Sequence, residues 1–328
     1  MTKIKNIKER ELISLITGIL EKSQTHSSQL PDQYIGPGKD DCAVIDIGSS
    51  KLLVASTDML HSTTDFPPGM TPQQMGWMSV AVNLSDIAAM GASPIGIMMA
   101  LGLPPDLDLD FVEALVRGMD KCAGHSGTVI IGGDIDRHDE ITISGSALGL
   151  VDAEHIVLRK GAQIGDMVCV TGKLGTAGAA LDALIHNRST DRSVLDKFYQ
   201  PVPRIPEGIS LAQTGCLTSM MDISDGLALS LYDIAAVNNI GFHIQANNIP
   251  IHNEVRSLAY NEDELFKWSV YTGGDFELLF TIRPGCLEQV ENKTPVQYTV
   301  IGEVTQKGMT IERHGNVMDM KPHGFTQF

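Results

Sequence analysis

Short apolar runs alternate with helical patterns along most of the chain. Extended runs fall at residues 52–56, 128–131, 167–171, 242–245 and 278–282, and 141–150 alternates in part with small residues. Apolar side chains recur at helical spacing over 72–90, 109–123, 177–186, 207–214 and 227–237. Strands interleaved with helices predict an α/β (α+β) architecture. The polar, turn-rich segment 152–165 predicts a junction between a domain over 1–151 and a second over 152–328. Residues 7–20 read as a charged amphipathic helix, not a secretory leader. The longest apolar stretch, 95–103, is cut by Gly102, followed by Pro104, and is too short to span a bilayer.

The helix predicted at 72–90 is the most telling element. Thr71, Pro72 and Gln74 form a capping-box start with proline in the first turn. From Gly76 to Met90 the one charged residue is Asp86, with Asn83 a turn earlier on the same face. A carboxylate in such a helix is costly to bury unless a cation pairs with it or a neighbour such as Asn83 satisfies it. Asp40, Asp41, Asp58, Asp134, Asp222, Asp225 and Asp275 share this setting, among small or apolar residues with almost no Lys or Arg beside them. Hard oxygen ligands in that pattern point to Mg²⁺ or Ca²⁺.

Each string has a plainer competitor. Ser56-Thr57-Asp58 follows a strand and offers two hydroxyls and a carboxylate to a metal or phosphate; a turn-forming Asp is the alternative. Asp40-Asp41 repel one another unless one faces a cation, or else form a solvated loop. Gly132-Gly133-Asp134 lets backbone amides approach a phosphate, or makes a tight turn. In Asp222-Ile223-Ser224-Asp225-Gly226, helix capping accounts for one acid but not readily for both. Gly273-Gly274-Asp275-Phe276-Glu277 either sends Asp275 or Glu277 into a cleft or turns a hairpin. The loop from Thr171 through Gly172 and Gly175 lacks dinucleotide spacing and reads as structural.

Composition narrows the classes. The 328 residues are 43% hydrophobic, enough to bury two cores, and the 5% aromatic content makes those cores aliphatic. A net charge of -16 argues against a duplex nucleic-acid binder. Five scattered cysteines without a CxxC argue against a disulfide framework or zinc site and favour a reducing cytoplasm. Cys122, Cys169 and Cys216 read as buried, inert thiols. A P-loop, a protein-kinase signature, a zincin motif and a serine-hydrolase elbow are all missing from the sequence.

The strings GKDDCAV, STDML, VNLSDIAAMGA, GGD, LRKGAQIGD, VTGKLG, DISDGL and TGGDFELLF, in this order over nearly the whole chain, resemble the thiamine-monophosphate kinase family. That family sits in the superfamily of aminoimidazole ribonucleotide synthetase and selenophosphate synthetase, and TDFPPGMTPQQMGW gives the chain an archaeal look. The resemblance implies an N-terminal α/β domain whose sheet pairs across a homodimer, and a C-terminal α/β domain. It implies ATP and thiamine monophosphate as substrates and several Mg²⁺ ions, without nucleic acid or membrane as partners. By position it implies metal ligands at Asp41, Ser56, Thr57, Asp58, Asp86, Asp134, Asp222 and Asp225. Nucleotide contacts fall at Gly133, Asp134, Arg159 and Ser224, and an aromatic against the thiamine at Phe325. The chain departs from the family at two places. Asp65 stands where the family often has His, and GGDFEL is one residue shorter than GGEDYEL, leaving Asp275 and Glu277 both as substrate-side candidates.

Other functions compete. A selenophosphate synthetase or hydrogenase-maturation enzyme would need cysteines that 3–30 and the terminal GFTQF do not supply. An aminoimidazole ribonucleotide synthetase-like cyclo-ligase fits STDML and DISDGL less well. A non-catalytic divalent-cation or nucleotide-binding protein would not need so full a carboxylate set.

Overall fold

The alternating pattern resolves into two mixed sheets with a buried helix between them. The computed structural model describes residues 9–24 and 34–326, so Ile7 and Lys8 of the predicted first helix lie outside the described residues. The first half contains β1 (Tyr34–Ile35), β2 (Ala43–Asp46), β3 (Lys51–His61), β4 (Ser93–Leu103), β5 (Ile130–Arg137) and β6 (Thr142–Asp152), with helices α1 (Glu9–Gln24), α2 (Pro72–Ala89) and α3 (Leu109–His125). Its strand order is β1-β2-β3-β6-β4-β5, antiparallel except for the parallel β4–β5 pair. Every second residue of β6 is buried along its full length, the signature of a sheet with one covered face.

The second half contains β7 (Met167–Thr171), β8 (Leu217–Asp222), β9 (Gly241–Gln245), β10 (Leu278–Ile282), β11 (Tyr298–Thr305), β12 (Met309–Arg313) and β13 (Asn316–Asp319). Seven helices accompany them: α4 (Thr176–Ile185), α5 (Arg192–Tyr199), α6 (Ile205–Ala212), α7 (Leu227–Asn238), α8 (Asn253–Leu258), α9 (Glu262–Tyr271) and α10 (Leu287–Lys293). The order is β13-β12-β9-β11-β7-β10-β8, with β12–β9 the parallel pair. β10 is buried at every residue, as its continuous apolar run requires.

Helix α2 ties the halves together. Its capping box forms as the sequence predicts: Gln74 N donates to Thr71 Oγ1, and Thr71 N donates to Gln74 Oε1. It is apolar nearly all round because it is covered nearly all round, by β3 and β6 on one side and by α3, α6 and β8 on others. One apolar core runs through it, from Val54 and Ile143 in the first half to Met220 and Phe280 in the second. Trp77 Nε1 donates to Pro201 O at 2.6 Å, and Tyr199 donates to Pro68 O at 2.8 Å, fastening the two halves beside it.

Two strands outrun their sequence signals. β3 continues through Ser56-Thr57-Asp58 because β6 pairs with it as far as His61↔Thr142. β5 continues through Gly132-Gly133-Asp134 because β4 supplies a parallel ladder to Arg137. Neither string is the strand-ending turn that its glycines, hydroxyls and acid suggest. The apolar stretch at 95–103, given no element above, is most of β4. Among the described residues no helix is long and apolar enough to cross a membrane.

Candidate active site

Four elements deliver carboxylates to one place. Asp41 precedes β2, Asp58 lies within β3, Asp86 projects from α2, and Asp222 ends β8. Oxygen atoms of Asp41, Asp86 and Asp222 lie within 4.8 Å of one another. The strand period turns Ser56 and Asp58 together toward α2. Ser56 Oγ donates to Asp86, whose carboxyl also shares a hydrogen bond with Asp58. Asn83 satisfies Asp58's backbone, not Asp86: Asp58 N donates to Asn83 Oδ1 at 3.0 Å, and Asn83 Nδ2 donates to Ser79 O at 2.9 Å. Ser85 Oγ holds Asp222 at 2.7 Å from the same helix.

Burial dominates the electrostatics. Asp86 is pushed well above the carboxylate range by burial, then by Asp58, Asp222 and Asp41. Burial and the charge of Asp41 raise Asp222 to about 7. Burial also raises Asp58, and raises Asp41 against the pull of Arg159. Asp40, beside Asp41, is raised to about 7, first by burial. Asp225 is raised to about 6 by burial, opposed by Arg10, whose Nη2 lies 3.7 Å away. Asp41 Oδ1 accepts from Arg159 Nε at 3.1 Å and from Nη2, while its buried Oδ2 has no hydrogen-bond partner among the described residues. Converging carboxylates with an orphaned buried oxygen fit a hard divalent cation.

This cluster floors a cleft of about 520 Å³. Asp58, Asp86, Asp222 and Asp225 line it, and Ser224 and Asp65 also border it. The same cleft has an apolar lining: Phe66, Phe198, Phe276 and Phe325, four of the chain's nine phenylalanines, border it with Met59 and Met78. Phe325 is 44% exposed, and its backbone N–H donates to Asp225 O at 3.0 Å, which fixes it at the rim. Asp65 Oδ2 accepts from His61 N at 2.8 Å and from Thr64 Oγ1 at 2.7 Å, so the carboxylate closes its own turn while bordering the cleft.

Other residues singled out by sequence stand elsewhere. Thr57 projects from the opposite side of β3 to Ser56 and Asp58, and its hydroxyl donates to Gly145 O at 2.7 Å. Gly133 and Asp134 are exposed on β5; the register Asp58↔Gly145, Gly145↔Met99, Met99↔Gly133 leaves β6 and β4 between them and the cluster. They border a separate, open depression of about 700 Å³ shared with α3. Asp275 caps α4, accepting from Gly175 N at 2.6 Å and Ala177 N at 3.0 Å. Glu277, 5% exposed, is held by Arg204 Nε at 2.7 Å and Thr171 Oγ1 at 2.7 Å on one oxygen and by Arg204 Nη2 on the other.

Neither acid of the TGGDFEL string therefore lines the cleft; the residue between them does. Phe276 has φ 51°, a conformation a bulky L residue rarely adopts. It is held there by Phe276 N donating to Ile223 O at 3.0 Å, and Gly274 N donates to Ser224 O at 2.7 Å. Gly273 passes so close to Ser224 O that a Cβ there would sit 2.3 Å from it, which explains the glycine pair. Sequence reasoning followed the charges and missed Phe276, Phe66 and Phe198. Aromatics clustered in a chain so poor in them were the available signal.

Two α/β halves around a shared carboxylate cluster define a class: the AIR synthase related proteins, whose N-terminal domain profile matches residues 39–151 and whose C-terminal domain profile matches 163–314. Within it the chain belongs to the thiamine-monophosphate kinase family. It is 42% identical to the thiamine-monophosphate kinase of Methanospirillum hungatei over 286 residues, 87% of this chain and 92% of that one. It is 35% identical to that of Archaeoglobus fulgidus over 98% of this chain and 99% of the relative. A solved structure of AaThiL complexed with AMPPCP and TMP superimposes with a TM-score of 0.84 at 27% identity, over 100% of this chain and 99% of that one.

Proposed function

We propose that this chain catalyses ATP-dependent phosphorylation of thiamine monophosphate to thiamine diphosphate, with ADP as the other product. The observation that carries the reading is a single cleft lined both by carboxylates and by four phenylalanines. The acceptor combines a phosphate and a flat cationic ring system, and aromatic faces attract such cations. Membership in the family supports the same substrates.

The transfer forms a bond from an acceptor phosphate oxygen to the γ-phosphorus and breaks the bond to the bridging oxygen of ADP. The attacking oxygen is already ionised at neutral pH, so no side chain need remove a proton. Catalysis then reduces to holding two polyanions in line. Asp41, Asp58, Asp86 and Asp222 would hold Mg²⁺ ions, with Ser56 and Asp225 at the margin. Bound there, the ions supply the positive charge that offsets phosphate repulsion. Arg159 restrains Asp41 and is a candidate for the nucleotide phosphates. Ser224 lies between Asp222 and Asp225 in sequence and borders the Phe276 loop. Phe325 and Phe276 orient the ring system.

A homodimer through β5 belongs to the same proposal. β5 ends the strand order, and Ile131 and Ile135 on it are 53% and 70% exposed, features of a sheet edge suited to pairing. Gly133 and Asp134 on that strand would then meet the nucleotide in the assembled dimer. Incubation of the purified protein with ATP, Mg²⁺ and thiamine monophosphate should yield thiamine diphosphate and ADP in equal amounts by chromatography. ADP without thiamine diphosphate, or neither product, would refute the assignment.

A further inference from the structure

Outside the cleft, two thiols meet at the far end of β8. Cys216 is the residue before β8 and is fully buried. Cys286 directly precedes α10 and is half-buried. The fold brings them together through backbone pairing. Leu217 lies opposite Ile282 in the β8–β10 ladder, and Arg283 N donates to Cys216 O at 3.3 Å. The chain then turns at Gly285, with φ 84°, and Cys286 N donates to Arg283 O at 3.1 Å. That turn folds Cys286 back onto the core that contains Cys216. Burial first, and then the neighbouring Cys286, push the Cys216 thiol up, while the positive charge of Arg283 opposes them.

The other three cysteines share the burial of Cys216 but not its thiol neighbour. Cys42, Cys122 and Cys169 are at most 2% exposed. Burial pushes each of their thiols up, away from the reactive thiolate, and no thiol partner accompanies any of them among the described residues. Cys216 alone would be the inert core thiol its sequence context suggests. Beside a solvent-reachable Cys286 it is instead placed as a resolving thiol.

We propose that Cys216 and Cys286 form an oxidation site that closes to an intramolecular disulfide under peroxide. The thiolate of Cys286 attacks one peroxide oxygen, giving a sulfenic acid and hydroxide. The sulfur of Cys216 then attacks that sulfenic sulfur, forming the S–S bond as water leaves with the Cys216 proton. Two thiols are oxidised, and the peroxide is reduced to two waters. The bond would join the base of β8, the strand ending at Asp222, to α10.

The test uses the full chain, exposed to hydrogen peroxide, alkylated under denaturing conditions and mapped by peptide mass spectrometry. A linked Cys216–Cys286 peptide, lacking both thiol hydrogens and split by dithiothreitol, is expected as the main product. Cys42, Cys122 and Cys169 should remain alkylatable. The Cys216→Ala variant should instead accumulate Cys286 sulfinic acid, because its resolving thiol is gone. Native protein that gives Cys286 sulfinic acid with Cys216 still free would overturn the proposal. So would an intermolecular bond through Cys286 as the main product.

Discussion

Replacing Arg204 with alanine tests whether Glu277 is structural or substrate-binding. Glu277 is 6% exposed at its side chain, and both of its oxygens are engaged by the Arg204 guanidinium, with Thr171 as the other donor. Removing Arg204 leaves a buried carboxylate with a single hydroxyl donor. Breaking a buried ion pair from one side costs about 3–5 kcal/mol. Arg204 is 27% exposed, so water can partly replace it, and the low end, about 3 kcal/mol, is the expectation. For a chain of this length that lowers the melting temperature by on the order of 4–5 °C. Replacing both partners with apolar residues, Arg204→Met with Glu277→Leu, removes the uncompensated charge and should recover most of the loss. Chemical denaturation supplies the free energies, and initial-rate kinetics supply the KM for thiamine monophosphate. The argument is refuted if Arg204→Ala and Glu277→Gln each change stability by less than about 0.5 kcal/mol while raising that KM. Glu277 would then belong to the substrate, despite its distance from the cleft lining.

Three further expectations concern the cleft itself. Asp86→Asn should lower kcat by about 10²–10³-fold and abolish a Mg²⁺ binding isotherm, while raising stability in EDTA by removing a crowded buried acid; unchanged turnover would show that Asp86 holds no essential cation. Asp222 and Asp225 have folded pKa values raised to about 7 and about 6, above the unfolded carboxylate, so the folded state binds more protons between about pH 4 and 7. In EDTA the melting temperature should therefore fall as pH rises through that window, and saturating Mg²⁺ should flatten the slope; a rise over the same range would contradict the sign. Phe276→Gly relieves the φ 51° conformation, so it should fold stably, yet raise KM for thiamine monophosphate by up to about tenfold with KM for ATP unchanged. An unaltered acceptor KM would remove Phe276 from substrate binding.

Much of this was legible in the sequence because burial leaves marks on composition. Asp86 stood out as the one charge in a long helix, and its capping box fixed where that helix begins. Asp222 followed from its uncharged surroundings, and Asp41 from being one of two adjacent acids that repel unless one faces a cation. The strand limits were not legible, because pairing partners far along the chain set them. β6 carries β3 past Asp58, and β4 carries β5 past Asp134, overriding local turn chemistry. Charge was also a poor guide in the TGGDFEL string. A carboxylate can be buried by a helix N-terminus, as at Asp275, or by an arginine, as at Glu277, and neither partner is a sequence neighbour. Thr57 shows a further limit: residue type does not tell which side of its strand a side chain takes, and here the hydroxyl faces away from the cluster.

Helix α2 has a consequence for how this protein can change over evolution. It belongs to the first half by sequence, but its surface is shaped by both, and the adjacent Ser85 and Asp86 bond carboxylates from different halves, Asp222 and Asp58. The two halves are therefore not interchangeable cassettes. A chimera joining the first half of one relative to the second half of another would inherit a mismatched seam along α2 and a cluster whose carboxylates no longer converge. Substitutions on α6, β8 and α2 are expected to travel together between lineages, while the outer strand β13 drifts on its own.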